Sequence, residues 1–479
     1  MSEQTHVHDV VVVGGGPGGY GVAFRAHARG LDVAMVEADR IGGTCLNRGC
    51  IPSKSILHVA GVLEELQRAE GYGLKVTYDG LDGAQLDDFR EHVMGRLRTG
   101  LEGLAKQRTT YVEGRGRLAD VAGEVKRVEV ALSDGGTTTL HARHVVLATG
   151  SSVRTVDGWD VDGEVVQTSD QALWFTAAPE RAVIIGAGAI GMEFASMWAP
   201  MGTKVTVVEA LDRVLPLEDP DASKAVQRSY RKRGIEVRTG VRVVGVQRDG
   251  GVGRVVVEVG GSVEELVADV VLVAVGRAPN TADTGAAEAG VLDERGYVAA
   301  DPLGRTAVDG VWAVGDVLPT LALAHAAFAE GFVVADAIAG LDPQPVDHVH
   351  TPRVTYCHPE VASVGLTEPE AREAHGEVVT ATYSLKANAK GIVHGSDGLV
   401  KVVAAKVPES SAYPDGVGAT LGVHVVGPMA TDLIGEATLA TAWEALPSEV
   451  AAITHAHPTL YEAMGEAFQA LAGVPFHGH

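Results

Sequence analysis

Cys45 and Cys50 are two of only three cysteines in a chain of 479 residues. They stand in GGTCLNRGCIPSK, residues 42–54, with four residues between them. Two chemistries use so close a pair: a metal ion held by thiolates, and a disulfide opened and closed by exchange. Structural zinc takes four ligands, usually as two close pairs. Here His58 is isolated and Cys357 is remote, so no metal site is expected. A disulfide meets a geometric obstacle instead. Residues five apart in an ideal α-helix have Cα atoms roughly 8–9 Å apart, and a disulfide needs about 4.4–6.8 Å. A redox pair at this spacing requires a distorted first turn or a loop entering a helix. Gly42, Gly43, Gly49 and Pro52 permit that departure.

The elements that must position this pair are announced by a repeat. DVVVVGGGPGG leads to VAMVEA at 33–38, and AVIIGAGAIG leads to VTVVEA at 205–210. Each reads as a β-branched strand, a G-x-G-x-x-G turn, a helix and a second strand ending in Glu. The offset from first glycine to Glu is 37 − 14 = 23 in one and 209 − 186 = 23 in the other. Gly14, Gly16 and Gly19, like Gly186, Gly188 and Gly191, allow a tight turn, close approach of a pyrophosphate and close helix–strand packing. N–H groups at each helix start then face the phosphates. Glu37 and Glu209 are suited to accept from a ribose diol. Glu209 would repel a 2′-phosphate, and the next basic residue is Arg213, so the second site is expected to take NAD rather than NADP.

The bulk composition agrees with a folded enzyme. Charge is 39 − 62 = −23, which argues against nucleic acid and anionic membranes as partners. The N-terminal residues lack the order of a secretory signal. LALAHAAFAEGFVVADAIAG (321–340) is interrupted by His325, Glu330 and Asp336, so it reads as a buried helix rather than a membrane span. A cytoplasmic location is expected, where a close cysteine pair is catalytic more often than structural.

GGTCLNRGCIPSK resembles the active-site segment of the flavoprotein pyridine nucleotide-disulfide reductases. The resemblance extends over VVLATG (145–150), AVGRAPNT (274–281), VWAVGDV (311–317), LAHAAFAEG (323–331) and HAHPTLYEA (455–463). It implies an α/β chain with two Rossmann-like domains, for FAD and NAD, plus an α+β C-terminal dimerisation domain. The implied map is 1–150 and 281–350 for FAD and the cysteine pair, 151–280 for NAD, and 351–479 for the interface. It implies a Cys45–Cys50 disulfide, with Cys50 against the flavin and Cys45 exchanging with substrate. His457 is the implied acid/base and Glu462 its orienting partner, contributed by the other subunit of a homodimer. Lys54 and Glu193 match an ion pair near the flavin, and Asp316 matches the residue that bonds the ribityl chain. Thr44, Gly116, Thr149, Gly150, Ala324 and Gly276 fall in the matching cofactor-binding motifs.

Among family members the nearest likeness is to those that oxidise dihydrolipoyl groups and reduce NAD+. The alternatives are a related NAD(P)H-dependent reductase of another small disulfide, or chiefly a docking component of a 2-oxo acid dehydrogenase complex, whose transacylase core would be a partner. Three positions depart from the family pattern. Arg48 replaces a small apolar residue and is expected to point to solvent rather than to act on a thiol. Tyr461 replaces the usual Ser, a bulky ring expected at the substrate mouth. Cys357 replaces Thr and reads as a small buried residue without a role.

Overall fold

The computed structural model describes residues 6–410, 413 and 415–477. It forms two compact units. One contains the chain up to Ser55, Ala84–Arg154 and Arg277–His348; the other contains Ile56–Gly83, Thr155–Gly276 and the chain from Val349.

The first unit opens with β1 (Val7–Val13), α1 (Pro17–Ala28), β2 (Val33–Glu37), α2 (Gly43–Arg48) and the start of α3 (Cys50–Arg68). It continues through α4 (Gly83–Arg108), β3 (Thr110–Asp120), β4 (Lys126–Leu132) and β5 (Thr137–Leu147). A parallel sheet runs β3–β2–β1–β5 and ends on the strand Val311–Ala313. Val10, Val11 and Val12 are fully buried. A valine run of this kind suits a strand covered on both faces. β3 and β5 extend past the parallel sheet, where β4 joins them antiparallel. The apolar stretch at 321–340 forms the helix Ala324–Ile338, packed on α1 through small residues. A Cβ on Gly331 would lie 2.8 Å from the Gly18 carbonyl, so the two helices touch by backbone. α4 buries Leu86, Arg90 and Met94, spaced four apart on one helical face.

The second unit repeats the plan. Its parallel sheet runs Glu236–Arg238, Lys204–Val208, Arg181–Ile185, Val270–Val273, Val166–Thr168. An antiparallel meander of Arg242–Asp249, Val252–Val259 and Ser262–Ala268 accompanies it. The C-terminal part is an antiparallel sheet in the order Arg353–Thr355, Glu360–Gly365, Val417–Gly427, Leu399–Lys406, Val378–Ser384. The helices Ala430–Ala442 and Glu462–Leu471 cover it around Val364, Val402, Val423, Met464 and Phe468. Among the described residues no helix is long and apolar enough to cross a membrane.

Candidate active site

The two glycine turns have the same construction. Gly14 has φ +109°, and a Cβ there would lie 2.3 Å from the Ala148 carbonyl oxygen; Gly186 has φ +106° and the same 2.3 Å approach to Ala274. A Cβ on Gly19 would sit 1.8 Å from the Gly14 oxygen, and one on Gly191 would sit 1.9 Å from the Gly186 oxygen. Only glycine lets each helix start so close to its strand. Gly16 and Gly188 are the N-caps of their helices, with extended backbone and no capping side chain. The helix-start N–H groups are therefore left to another acceptor, as a dinucleotide phosphate site requires.

Each strand-end acid also braces its own turn. Glu37 accepts from the Gly15 N–H at 2.7 Å and the Asp39 N–H at 2.8 Å. Glu209 accepts from the Ala187 N–H at 2.7 Å and the Leu211 N–H at 2.9 Å. Both acids are buried, and burial raises the Glu37 carboxyl above its ordinary range. A carboxylate oxygen holding one such bond keeps a lone pair for a ribose hydroxyl.

The cysteine segment is seated on the first turn. The Gly42 N–H donates to the Gly15 carbonyl at 2.8 Å. A Cβ on Gly43 would lie 2.8 Å from Gly16 Cα, and Gly42 and Gly43 have φ +94° and +55°. Cys45 lies in α2 and Cys50 opens α3. The helix breaks between them at Gly49, with φ −142° and ψ −108°. A redox pair at this cysteine spacing requires such a break. Buried Asn47 fixes the short helix by donating to the Ile41 and Gly43 carbonyls, each at 3.0 Å. Cys45, Cys50 and Cys357 are all in the thiol form, with no disulfide between them. The Cys45 thiol is pushed well up, first by its hydrogen bond with Cys50, then by burial, against the opposing charge of Lys54. Arg48 is half-exposed and pairs with Asp39 at 3.0 Å. Lys54 is a cation within electrostatic reach of Cys45. Tyr20 of α1 lies within electrostatic reach of both thiols; burial raises its phenol first, then Cys45 and Cys50. Nothing in its sequence context marked Tyr20 or Asn47.

Asp316 follows the strand Val311–Ala313 and accepts from Ser151 Oγ at 2.5 Å, which Arg277 Nε in turn holds at 2.7 Å. Thr149 Oγ1 donates to the Asn280 carbonyl at 2.6 Å, and the Asn280 N–H donates to Gly150 at 2.8 Å. Ala324 opens its helix half-buried. Thr44 is in α2. Gly116 is buried in β3, where a Cβ would lie 3.0 Å from Val13 Cγ1, so packing alone excludes a side chain there. In the second unit, Gly276 has φ +109° with open space around it. Buried Glu193 accepts from the Tyr356 N–H at 3.0 Å. Cys357 is buried, its thiol pushed up to about 12 by burial and then by Glu193.

His457 is exposed, and its Nδ1 lies 2.7 Å from Glu462 Oε1. Glu462 Oε2 accepts from the Thr459 N–H at 2.6 Å. Burial pulls the Glu462 carboxyl up, but the Thr459 N–H and His457 outweigh it and hold the group below its ordinary value. An ionised carboxylate only accepts, so Nδ1 carries the proton that faces Glu462. Tyr461 makes local contacts in this loop. Its ring lies 5.1 Å from that of His455, and its hydroxyl accepts from the Ala456 N–H at 2.7 Å. It braces the loop bearing His457.

Residues 8–331 match the pyridine nucleotide-disulphide oxidoreductase family, and residues 351–468 match its dimerisation domain. The chain belongs to that family. It is 40% identical to the dihydrolipoyl dehydrogenase of Mycobacterium tuberculosis (strain H37Rv), over 98% of this chain and 99% of that protein. It is 37% identical to the dihydrolipoyl dehydrogenase of Bacillus subtilis (strain 168), over 98% and 99%. The crystal structure of LpdA from Mycobacterium tuberculosis superposes with a TM-score of 0.88 at 27% identity, covering 97% of this chain and 100% of that one. The mixed α/β architecture with a C-terminal dimerisation domain is that of the family, and the dimerisation domain supports a homodimer. The family reading carries FAD and NAD as cofactors.

Proposed function

We propose that this chain oxidises dihydrolipoyl groups to the cyclic disulfide and reduces NAD+ through the Cys45–Cys50 pair and FAD. Residues 1–150 and 281–350 hold FAD, 151–280 hold NAD, and 351–479 make the subunit interface. The reading rests above all on a cysteine pair divided by the Gly49 break and seated, through Gly42 and Gly43, on the first glycine turn. The resemblance of the whole chain to dihydrolipoyl dehydrogenases supports a dihydrolipoyl substrate.

His457 Nε2 takes the proton of one substrate thiol, while Glu462 keeps the imidazole in the Nδ1–H form. The substrate thiolate attacks Cys45 Sγ of the disulfide, forming a mixed disulfide and releasing Cys50 as a thiolate. The second substrate sulfur then attacks the lipoyl sulfur of the mixed disulfide, closing the ring, and its proton passes to the departing Cys45. The substrate has lost two electrons and the cysteine pair has gained them. The resemblance makes Cys50 the member that carries the charge. FAD, when bound, would supply the two-electron carrier between the cysteine pair and the nicotinamide. Gly14, Gly16, Gly19, Glu37, Thr44, Lys54, Gly116, Thr149, Gly150, Asp316 and Ala324 contribute to its site. By the resemblance, Glu193 pairs with Lys54 near the flavin, and Gly186, Gly188, Gly191, Glu209 and Gly276 contribute on the nicotinamide side. Each active site takes its cysteine pair from one protomer and its His457–Glu462 pair from the other. The enzyme works as a cytoplasmic homodimer, with lipoyl carriers of a 2-oxo acid dehydrogenase core as partners.

The test mixes the FAD-loaded protein with dihydrolipoamide and either NAD+ or NADP+ and follows absorbance of the reduced nicotinamide. Rapid reduction of NAD+ alone is expected. A flavin that NADH reduces but dihydrolipoamide does not would overturn the substrate assignment, and a preference for NADP+ would overturn the role of Glu209.

A further inference from the structure

A second group of ligand atoms lies at the start of the first unit, outside the redox machinery. His6 and His8 flank Val7 at the opening of β1. Residues two apart on an extended chain share a face. That face meets Asp32, the residue before β2, where the Asp9 and Val10 N–H groups both donate to the Asp32 carbonyl at 3.0 and 3.1 Å. His6 Nε2 lies 2.8 Å and His8 Nδ1 lies 2.9 Å from one and the same oxygen, Asp32 Oδ2. The three ligand atoms lie within 4.8 Å of one another. The rings of His6 and His8 meet edge to face, with centroids 4.4 Å apart. A further carboxylate stands alongside: Asp9 Oδ2 accepts from the Asp32 N–H at 2.9 Å, and Asp9 Oδ1 pairs with Arg143 at 2.6 Å.

We propose that His6, His8 and Asp32 form a site for one borderline divalent cation of the Zn2+ or Cu2+ class. Two imidazoles and one carboxylate are a donor set these ions favour over Mg2+ or Ca2+. In a tetrahedral site with bonds near 2.0–2.2 Å, neighbouring ligand atoms stand about 3.4 Å apart. The present contacts of 2.8 and 2.9 Å must therefore open by about half an ångström. The geometry allows this, because the His6 and Asp32 side chains are 69% and 46% exposed while His8, at 5%, is the fixed ligand. Three protein ligands leave a fourth position for water or an incoming donor. The cation would pin the first residues of β1 to the start of β2, at the end of the sheet opposite the glycine turn. The set carries no mark in the sequence, because Asp32 joins the two histidines only through the parallel pairing of β1 with β2.

The test uses untagged, FAD-loaded protein with the Cys45–Cys50 pair oxidised, dialysed against Zn2+, with the metal retained per protomer measured. One equivalent is expected. His6→Gln and Asp32→Asn, both at exposed positions, should each weaken binding by at least about tenfold. A Cys45→Ser/Cys50→Ser variant should keep the equivalent. Cu2+ bound at the same site should show nitrogen hyperfine splitting in its electron paramagnetic resonance spectrum, reduced in His6→Gln. Less than one equivalent in the wild type, or binding unchanged in both His6→Gln and Asp32→Asn, overturns the proposal. So does loss of the metal with the cysteines alone.

Discussion

Replacing Glu462 by Gln separates the orienting role of this carboxylate from mere occupancy of its place. The carboxylate does two things at once: Oε1 accepts from His457 Nδ1–H at 2.7 Å, and Oε2 accepts from the Thr459 N–H at 2.6 Å. An amide of the same shape has one accepting and one donating end. If its oxygen keeps the Thr459 N–H, its NH2 faces Nδ1 and forces the proton onto Nε2, the atom that must act as the base. If its oxygen keeps His457, an N–H donor confronts the Thr459 N–H and the loop shifts. A hydrogen bond to a charged partner contributes roughly 1.5–3 kcal/mol, so its loss alone predicts a fall in turnover of about 10- to 150-fold. A full tautomer switch would deepen the loss toward about 10⁴-fold. The assay is dihydrolipoamide-dependent reduction of NAD+, run beside rapid-mixing reduction of the flavin by NADH. The second reaction does not use His457 and should be unchanged. Turnover equal to wild type, or equal losses in both reactions, would refute the reasoning.

Tyr461→Phe keeps the ring on His455 but removes the acceptor of the Ala456 N–H; a loss of about 1 kcal/mol predicts a several-fold fall in dihydrolipoamide turnover with NADH-driven flavin reduction intact. Gly191→Ala puts a Cβ 1.9 Å from the Gly186 oxygen; FAD absorbance should persist while KM for NAD+ rises. Lys401→Met removes the partner of fully buried Asp219 and of Asp221 and Glu368, which lie 3.0, 2.7 and 2.7 Å from Nζ. Stranding that charge should cost about 3–5 kcal/mol in urea unfolding of the FAD-loaded protein. These three carboxyls are held low in the fold, so their contribution is present above the ordinary carboxylate range and fades as pH falls through their folded values. His424 is fully buried, and burial lowers its pKa to about 4, despite the Asp219 charge. Unfolded, it takes a proton near pH 6.5. Between those values the unfolded state binds the extra proton, so stability should fall as pH drops from about 6.5 toward 4. His424→Gln should flatten that part of the profile.

Periodicity and punctuation made the repeated strand–turn–helix units legible, because valine runs, glycine spacing and a terminal Glu are local signals. The cysteine spacing went further: it demanded a helix break, and the break falls at Gly49. Long-range contacts carry no such mark. Nothing around Asn47 announces that its side chain will fasten α2 to the carbonyls of Ile41 and Gly43. Nor does Ser151 announce a hydrogen bond to Asp316, 165 positions away. Tyr461 stands out in the sequence by its bulk, whereas the partner of its hydroxyl depends on how the loop folds back.

One scaffold, used twice, accounts for where the redox pair stands. After each strand-end acid the chain returns to its own glycine turn: Gly42 donates to the Gly15 carbonyl and Leu215 to the Ala187 carbonyl, both at 2.8 Å. Gly15 and Ala187 are equivalent positions, so the return is part of the fold and not of the chemistry. Beyond the return the two copies diverge. In the first unit two left-handed glycines let α2 lie against Gly16, which delivers Cys45 and then Cys50 beside the turn. In the second unit the chain runs on to Asp219, which caps the helix Pro220–Lys232 through the Asp221 N–H at 2.9 Å and anchors Lys401. The same return path serves exchange chemistry in one copy and a buried ion cluster in the other. Substitutions at Gly43 should therefore disturb thiol reactivity, and the equivalent stretch around Leu215 should tolerate change limited only by stability.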